Sequence, residues 1–376
     1  MKWKIPLFKI YWSDEDIEEI TKVIKRGTYW SSGPEIAEFE QKIAHFVNCE
    51  FALSFNSGTT ALYTLLKSCN LKNTEVILPS FTFIATANTV LLAEAKPVFA
   101  EIEQESFGLN AANVQEKITK KTRAIIPVHI AGQPIKEIKA IKEIAEDNDL
   151  LLLEDAAQAL GSYLNMDKVG NFGHGAMFSL CQNKIITTGE GGIVVTNDRD
   201  LYEKMKLIRS HGRVDDMKSD YFSNIHDSNY IQLGSNYRLS TIQAALGISQ
   251  LNQYTKIVEL RRKHAQFLTQ NLKKIDYLIP PTEIPNAFHI YQLYIVLLDN
   301  KKTRDQLQRH LSNKAIMTKI YFKPIHLKSY YKANHNFSEG ELPITEDISN
   351  RVLALPIYPM MTKMDLNYII DSINEF

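Results

Sequence analysis

The sequence predicts an α/β protein: a mixed, mostly parallel sheet between helices, with a smaller α+β unit towards the C-terminus. Short apolar runs alternate with helix-like segments through the first two thirds of the chain. Runs that are apolar throughout are typical of strands that helices cover on both faces. The chain also has 376 residues, which favours a large domain beside a smaller one.

The predicted strands end where polar motifs begin. The apolar runs are residues 51–55, 76–78, 97–102, 124–128, 150–153 and 193–196. Helix-like segments lie between them, among them residues 60–68, 86–94 and 135–147. Because ligands bind at the carboxyl ends of parallel strands, we expect the motifs that follow these runs to lie close together.

The two ends of the chain complete the predicted organisation. Ser13 precedes an acidic first turn and apolar residues at helical spacing, and Gly27 ends this first helix. From about residue 254 the pattern changes to a long charged helix at 256–274, a strand at 289–298, and helices at 302–312 and 363–376. We therefore predict a large domain of residues 1–254 and a small domain of residues 255–376.

Composition argues against several classes of partner. Lys plus Arg and Asp plus Glu each number 43, so no net charge attracts the chain to nucleic acid or to an anionic membrane. The three cysteines show no CxxC spacing, which favours free thiols in a reducing cytosol. No apolar run approaches the roughly 20 residues that span a bilayer. We expect a cytoplasmic protein without a nucleic-acid or membrane partner.

The first chemical motif is the Ser57-Gly58-Thr59 segment, which follows a strand and opens a helix. The free N–H groups of a helix N-terminus, its dipole and the two hydroxyls together suit a phosphate. The same residues also make an ordinary helix cap with a tight turn. The motif alone leaves both interpretations open.

Two further motifs supply charged side chains. Asp155 follows the run at 150–153, where a carboxylate suits a metal, a ribose or a pyridinium nitrogen. Lys184 lies in a glycine-rich turn, and Ser179 adds a hydroxyl just before it. A lone lysine in a loop is usually a surface residue, but glycines allow the backbone to approach a ligand closely.

Together the three motifs supply what pyridoxal 5'-phosphate requires. Lys184 offers an amine for the aldehyde, Asp155 offers an acid for the ring nitrogen, and the helix N-terminus at Ser57 offers a phosphate site. Asp155 keeps the ring nitrogen protonated, so that the ring accepts electrons. The sequence therefore predicts Lys184 and Asp155 as the catalytic residues of an enzyme that uses this cofactor.

These residues resemble the sugar aminotransferases of the DegT/DnrJ group, which have the fold-type-I architecture of aspartate aminotransferase. The resemblance runs in order along nearly the whole chain. Its segments are 33–34, 39–40, 57–59, 79–86, 154–158, 178–192, 211–212, 236–240 and 355–359. Each match is weak by itself, whereas the complete ordered set is highly specific.

The resemblance implies further cofactor-binding residues. Phe83 would stack on the cofactor ring, and Gln158 would hydrogen-bond the ring hydroxyl. Ser179 would join the phosphate site. Asn236 would reach the cofactor phosphate of a second subunit, which implies a homodimer with shared active sites.

The resemblance also implies a substrate site. Arg238 would lie near the subunit interface, close to the diphosphate of the substrate, where its planar fork of donors suits phosphate. Tyr321 and His326 look like residues of the substrate pocket. The expected substrates are L-glutamate and a nucleotide-linked keto-sugar.

The details of the motifs favour one reaction. Lys184 stands where dehydratase relatives carry His, so transamination is favoured over dehydration. Cys181 stands where several relatives carry His, which leaves Lys184 to move the protons. The stretch at 184–192 resembles enzymes that aminate C4 more than enzymes that aminate C3. We therefore predict that the substrate is a nucleotide-linked 4-keto-6-deoxyhexose, as in perosamine-type synthesis. Such amino-sugars enter surface polysaccharides such as the lipopolysaccharide O-antigen.

Several alternatives remain open from the sequence. Within enzymes they are a C3-keto-sugar aminotransferase and a deoxysugar dehydratase that uses the same cofactor. Outside enzymes the alternative is a regulator that binds pyridoxal phosphate. The histidines lack the spacing of a zinc site, so we expect no metal. The chain also has neither a GxGxxG motif after its first strand nor a Walker loop, which argues against a dinucleotide-binding fold and a P-loop.

Overall fold

The computed structural model describes residues 3–214, 229–335 and 337–376. In these ranges the helices are α1 (Asp14–Arg26), α2 (Pro34–Val47), α3 (Gly58–Ser68), α4 (Ile84–Leu92), α5 (Ala111–Lys117), α6 (Ile138–Asp147), α7 (Arg199–Arg209), α8 (Thr241–Asn252), α9 (Tyr254–Leu272), α10 (Lys301–Asn313), α11 (Ser329–His335), α12 (Pro343–Arg351) and α13 (Lys363–Asn374). None of these described helices is both long and apolar enough to cross a bilayer.

The strands form three sheets. They are β1 (Phe51–Phe55), β2 (Glu75–Pro79), β3 (Lys96–Ala100), β4 (Thr122–Ile125), β5 (Leu151–Asp155), β6 (Tyr163–Leu164), β7 (Asp167–Lys168), β8 (Gly175–Ser179), β9 (Gly192–Thr196), β10 (Leu278–Ile279), β11 (Ala287–Phe288), β12 (Tyr294–Leu298) and β13 (Val352–Leu355). The central sheet has the order β1-β9-β8-β5-β4-β2-β3, and the two small sheets have the orders β10-β12-β13 and β11-β6-β7.

The central sheet is mixed and mostly parallel. Strands β3, β2, β4, β5 and β8 pair in parallel, while β9 runs antiparallel to both of its neighbours, β8 and β1. Six strands therefore end at the same edge of the sheet. The predicted sheet between helices is confirmed.

Both faces of the central sheet are buried, which explains why its strands are apolar throughout. Ile77 and Ile125 pack into the cluster on one face, whereas Val76, Leu78 and Ala124 pack into the cluster on the other. All five are fully buried. Burying an aliphatic side chain of this size contributes roughly 1.5–3 kcal/mol, so the two apolar faces fix the register of the strands.

Several strands differ from the expected runs, and three of these differences have a local cause. β8 was not among the apolar runs, because it begins at glycine and ends at the polar Ser179. β4 ends before Pro127, which has no N–H to donate to a ladder. The expected strand at 289–298 begins only at Tyr294, because Tyr291 has a positive φ of 50° that interrupts an extended backbone.

The C-terminal part of the chain builds its own apolar cluster on the β10-β12-β13 sheet. Helices α9, α10 and α13 contribute Leu268, Leu311 and Ile369 to it. Ile5 also packs there, and its carbonyl accepts the Met317 N–H at 2.9 Å. The division into domains at 254/255 stays a prediction.

A buried carboxylate joins the first helix to α8. Asp16 accepts the Ser13 N–H at 2.9 Å, which caps α1. It also accepts the Ser249 hydroxyl at 2.7 Å and the Gln250 amide at 2.9 Å. Gly27 ends α1 with a φ of +72°, as the sequence predicted.

We expect Asp16→Ala to lower the free energy of unfolding by about 2–4 kcal/mol, because it leaves buried donors on α8 without an acceptor. Chemical denaturation of the purified protein measures this change. Asp14→Ala removes an exposed carboxylate of the same turn and should change the stability by about 0.5 kcal/mol or less. Equal losses in the two variants would contradict the proposed role of Asp16.

Candidate active site

A cavity of about 750 Å³ opens at the edge of the central sheet where the parallel strands end. Its floor comes from the residues after β1, β2 and β4 and from the last residues of β5 and β8. The predicted site residues that line it are Ser57, Gly58, Thr59, Phe83, Asp155, Gln158, Ser179, Lys184 and Tyr321. The expectation that these motifs lie together is confirmed.

The end of β5 places two carboxylates on opposite faces. Asp155 faces the cavity, whereas the fully buried Glu154 points away from it, as neighbouring residues of a strand must. Glu154 accepts two hydrogen bonds on each oxygen, with donor distances of 2.9–3.1 Å, from the His129 ring and the backbone N–H groups of Gly170, Phe172 and Gly173. The His129 Nδ1 accepts the Ile135 N–H, so its Nε2 carries the proton that Glu154 accepts.

Asp155 is oriented by two short contacts. The Thr86 hydroxyl donates to one carboxylate oxygen at 2.7 Å, and the Ala157 N–H donates to the other at 3.1 Å. Burial raises the pKa of Asp155, while the Thr86 and Ala157 hydrogen bonds and the nearby Lys184 oppose the rise. The carboxylate is thus fixed in position before any ligand binds.

Lys184 lies opposite Asp155 in the same cavity. Burial lowers the pKa of its amine, and the attraction of Asp155 opposes this shift. The Lys184 N–H donates to the Cys181 carbonyl at 2.9 Å, which closes the turn that presents the side chain. A lysine in such surroundings has a larger uncharged fraction than one in water and is a better nucleophile.

The N-terminus of α3 forms a compact anion site. Ser57 caps the helix by accepting the Thr60 N–H at 3.1 Å, and the first hydrogen bond within the helix comes from the Ala61 N–H. The N–H groups of Gly58 and Thr59 therefore precede the ladder. A Cβ on Gly58 would lie 3.1 Å from the Ser179 hydroxyl, so that hydroxyl lies directly beside the helix N-terminus.

Phe83 presents an aromatic ring to the cavity, and Gln158 presents an amide donor to it. Phe83 is 60% exposed in the cavity wall, which is unusual for a phenylalanine. The Gln158 Oε1 accepts the Ala131 N–H at 2.8 Å. Its NH₂ group is therefore the part of the amide that donates into the cavity.

Asn236 and Arg238 do not line the cavity of their own chain. Asn236 is exposed, and Arg238 is partly buried and donates to the Ser210 hydroxyl at 3.0 Å. Both lie on a segment that follows α7 and forms a bridge beside β1. Their expected contact with a second subunit stays a prediction.

Tyr321 lines the cavity, whereas His326 is fully buried and does not. The His326 Nδ1 lies 2.7 Å from the Ser80 hydroxyl, and its Nε2 lies 3.1 Å from Glu346. Both ring nitrogens thus have partners inside the protein. The structure does not place His326 in the pocket, and its contacts instead fix the segment after Tyr321 against the end of β2.

Thr86 and Gln292 also line the cavity, and neither of them had a role assigned from the sequence. Thr86 lay in a matched segment, but its bond to Asp155 joins positions 69 residues apart and has no local signal. Gln292 is 3% exposed, and its Nε2 donates to the Asn183 carbonyl at 2.6 Å, which fixes the residue before Lys184. Among the described residues, its buried Oε1 has no hydrogen-bond partner.

The donor set of the cavity fits pyridoxal 5'-phosphate. The N-terminus of α3 with Ser179 suits its phosphate, Asp155 its ring nitrogen, and Gln158 its ring hydroxyl. Lys184 lies in the same cavity and suits its aldehyde. Because the structure brings all four groups to one cavity, they are able to hold one molecule of this size.

Comparison with known proteins agrees with this geometry. The sequence of residues 11–374 matches the family model of the DegT/DnrJ/EryC1/StrS aminotransferases. The GDP-perosamine synthase of Escherichia coli O157:H7 is 32% identical over 99% of this chain and 98% of its own length. That of Caulobacter vibrioides is 35% identical over 93% and 92%.

A solved structure shows the same fold. Helicobacter pylori PseC, an aminotransferase involved in the biosynthesis of pseudoaminic acid, superposes with a TM-score of 0.92 at 29% identity. The match covers 100% of this chain and 99% of PseC. The predicted fold-type-I architecture is confirmed.

We expect Glu154→Ala to lower the free energy of unfolding by about 3 kcal/mol or more, because it leaves a buried histidine and three N–H groups without an acceptor. Thermal and chemical denaturation measure the loss. Glu143→Ala, which removes an exposed carboxylate of α6, serves as the control and should be nearly neutral. A stability of Glu154→Ala within about 0.5 kcal/mol of the parent would refute the anchoring role.

Proposed function

The chain belongs to the DegT/DnrJ/EryC1/StrS aminotransferase family, and from this premise we propose that it moves an amino group from L-glutamate to C4 of a nucleotide-linked 4-keto-6-deoxyhexose. The family consists of sugar aminotransferases that depend on pyridoxal phosphate. The observation that carries the proposal is the pair Lys184 and Asp155, which face one cavity beside the N-terminus of α3. The chain thus retains a complete catalytic set, which a regulator that only binds the cofactor would not need.

The residues of this chain hold and polarise the cofactor. When bound, pyridoxal phosphate supplies an electron sink for the carbanion that forms as a proton leaves the donor's Cα. Asp155 would stabilise the protonated ring nitrogen, and Thr86 and Ala157 hold its carboxylate in place. Phe83, which is exposed in the cavity wall, would stack on the ring.

Lys184 carries the protons of the reaction in this proposal. Its lowered pKa favours the free amine that accepts a proton from the donor and later returns one. Cys181 is a poor substitute, since burial and the nearby Glu190 raise the pKa of its thiol. The Cys181 thiol also donates to Glu190 at 3.5 Å, so its proton already has an acceptor.

The C4 position is supported by the stretch at 184–192 and by two relatives that are named GDP-perosamine synthases. C3 amination and dehydration by the same cofactor are the competing reactions, and Lys184 argues against dehydration. We further propose a cytoplasmic homodimer in which Asn236 and Arg238 of one subunit complete the site of the other. Its product would enter the synthesis of a surface polysaccharide.

We expect Lys184→Ala to lose turnover by a factor of at least about 10²–10⁴, because it removes both the anchoring amine and the proton carrier. Borohydride reduction of the parent protein with pyridoxal phosphate, followed by peptide mapping, should place the cofactor mass on Lys184. Lys142→Ala, which removes a lysine whose side chain is 45% exposed, serves as the control and should behave as the parent does. Normal turnover of Lys184→Ala would refute the assignment.

The substrate is tested with the holoenzyme, L-glutamate and a panel of nucleotide-linked 3-keto- and 4-keto-6-deoxyhexoses. We expect mass spectrometry to show an aminated sugar and NMR to place the nitrogen on C4. Nitrogen on C3 would refute the choice of position. Without a sugar, L-glutamate alone should convert the cofactor absorbance, and a failure of this half-reaction would favour the regulator.

A further inference from the structure

Three lysines line the outer wall of the cavity. Lys319, Lys323 and Lys328 all belong to the segment between α10 and α11, and they share the cavity with Lys184. Among the described residues, none of the three forms a salt bridge. Lys319 instead lies 4.9 Å from the centre of the Tyr321 ring. The wall therefore carries positive charge that no carboxylate of the described residues pairs with.

The remaining charges of the cavity do not offset these lysines. The carboxylates in the described lining are Asp155 and Glu190. Asp155 lies beside Lys184, and Glu190 accepts a hydrogen bond from Cys181. A local excess of cations stands out in a chain whose formal net charge is zero. Like charges in one wall repel each other, so the arrangement favours an anionic ligand between them.

The backbone around the lysines is fixed. The Lys319 N–H and carbonyl exchange hydrogen bonds with Ala354 at 3.2 and 2.8 Å. The Lys328 N–H donates to the Ile325 carbonyl at 2.9 Å, and its own carbonyl accepts the Lys332 N–H at the start of α11. Burial lowers the pKa of Lys328, and the neighbouring Lys323 lowers it further. The ammonium groups of Lys323 and Lys328 thus lie close enough to repel each other, and both residues line the cavity.

We infer that Lys319, Lys323 and Lys328 bind the diphosphate group of the nucleotide-linked substrate. This inference rests on the proposed function and names the part of the substrate that this wall recognises. A diphosphate carries at least two negative charges over several oxygens, which matches three donors spread along one wall. The cavity volume of about 750 Å³ also lies in the range of small-molecule sites.

The lysine wall differs from the residues already assigned. Arg238 does not line the cavity of its own chain, so any contribution from it comes from another copy. Lys184 and the N-terminus of α3 belong to the cavity floor. The donor L-glutamate also carries carboxylates, and the experiment therefore tests the nucleotide and the amino acid separately.

The test uses the holoenzyme and isothermal titration with GDP, UDP and dTDP, each beside its nucleoside. We expect at least one diphosphate to bind at least about tenfold tighter than its nucleoside, and the difference to shrink as salt is added. The variant Lys323→Ala/Lys328→Ala should weaken binding of that diphosphate by about 10- to 100-fold and leave the nucleoside affinity unchanged. Equal affinities of diphosphates and nucleosides for the parent protein would overturn the inference.

Further variants separate charge from structure. Lys328→Arg should retain most of the diphosphate affinity, and Lys328→Glu should lose more of it than Lys328→Ala. Lys332→Ala, which removes an exposed charge one turn further along, is the matched control. Unchanged diphosphate affinity in Lys328→Glu, or an effect on the KM for L-glutamate alone, would also overturn the inference. Failure of the proposed function itself appears separately, as an inactive L-glutamate half-reaction in the parent protein.

Discussion

The alternation of side chains at the end of β5 is the constraint on which the rest of the site depends. Glu154 fastens the loop before β8 from one face, and Asp155 faces the cavity from the other. β5 and β8 pair in parallel, with Asp155 opposite Met177, so that register also positions Ser179. A slip by one residue would turn Asp155 away from the cavity and would leave the buried donors around Glu154 without an acceptor.

Burial gives the two central charges opposing tendencies. It raises the pKa of Asp155 and lowers that of Lys184, and both shifts favour the neutral forms. Their mutual attraction favours the charged forms instead. These two effects partly cancel. A proton therefore moves onto or off the Lys184 amine at a smaller free-energy cost than if burial alone, or the attraction of Asp155 alone, acted on it. The Thr86 hydroxyl donates a hydrogen bond to the Asp155 carboxylate, which favours the charged form of Asp155 and opposes the rise of its pKa.

The sequence predicted the floor of the site well because parallel strands end at one edge. Any motif directly after such a strand, as at Ser57 or Asp155, must lie at that edge whatever the loops do. Contacts between distant segments left no comparable signal. The Thr86–Asp155 bond joins separate strand ends, and Gln292 lies in an irregular segment that was expected to be a strand. His326 resembled a pocket residue, yet only the folded chain shows that Ser80 and Glu346 occupy both of its ring nitrogens.

The floor and the outer wall of the cavity come from separate parts of the chain. Its floor consists of loops that the central sheet holds, whereas the outer wall is the continuous segment 318–328 with Gln308 of α10. Divergence within that one segment alters which molecule is admitted while the reacting groups keep their places. For the same reason a mutant library confined to the segment is a compact route to new amino-sugars.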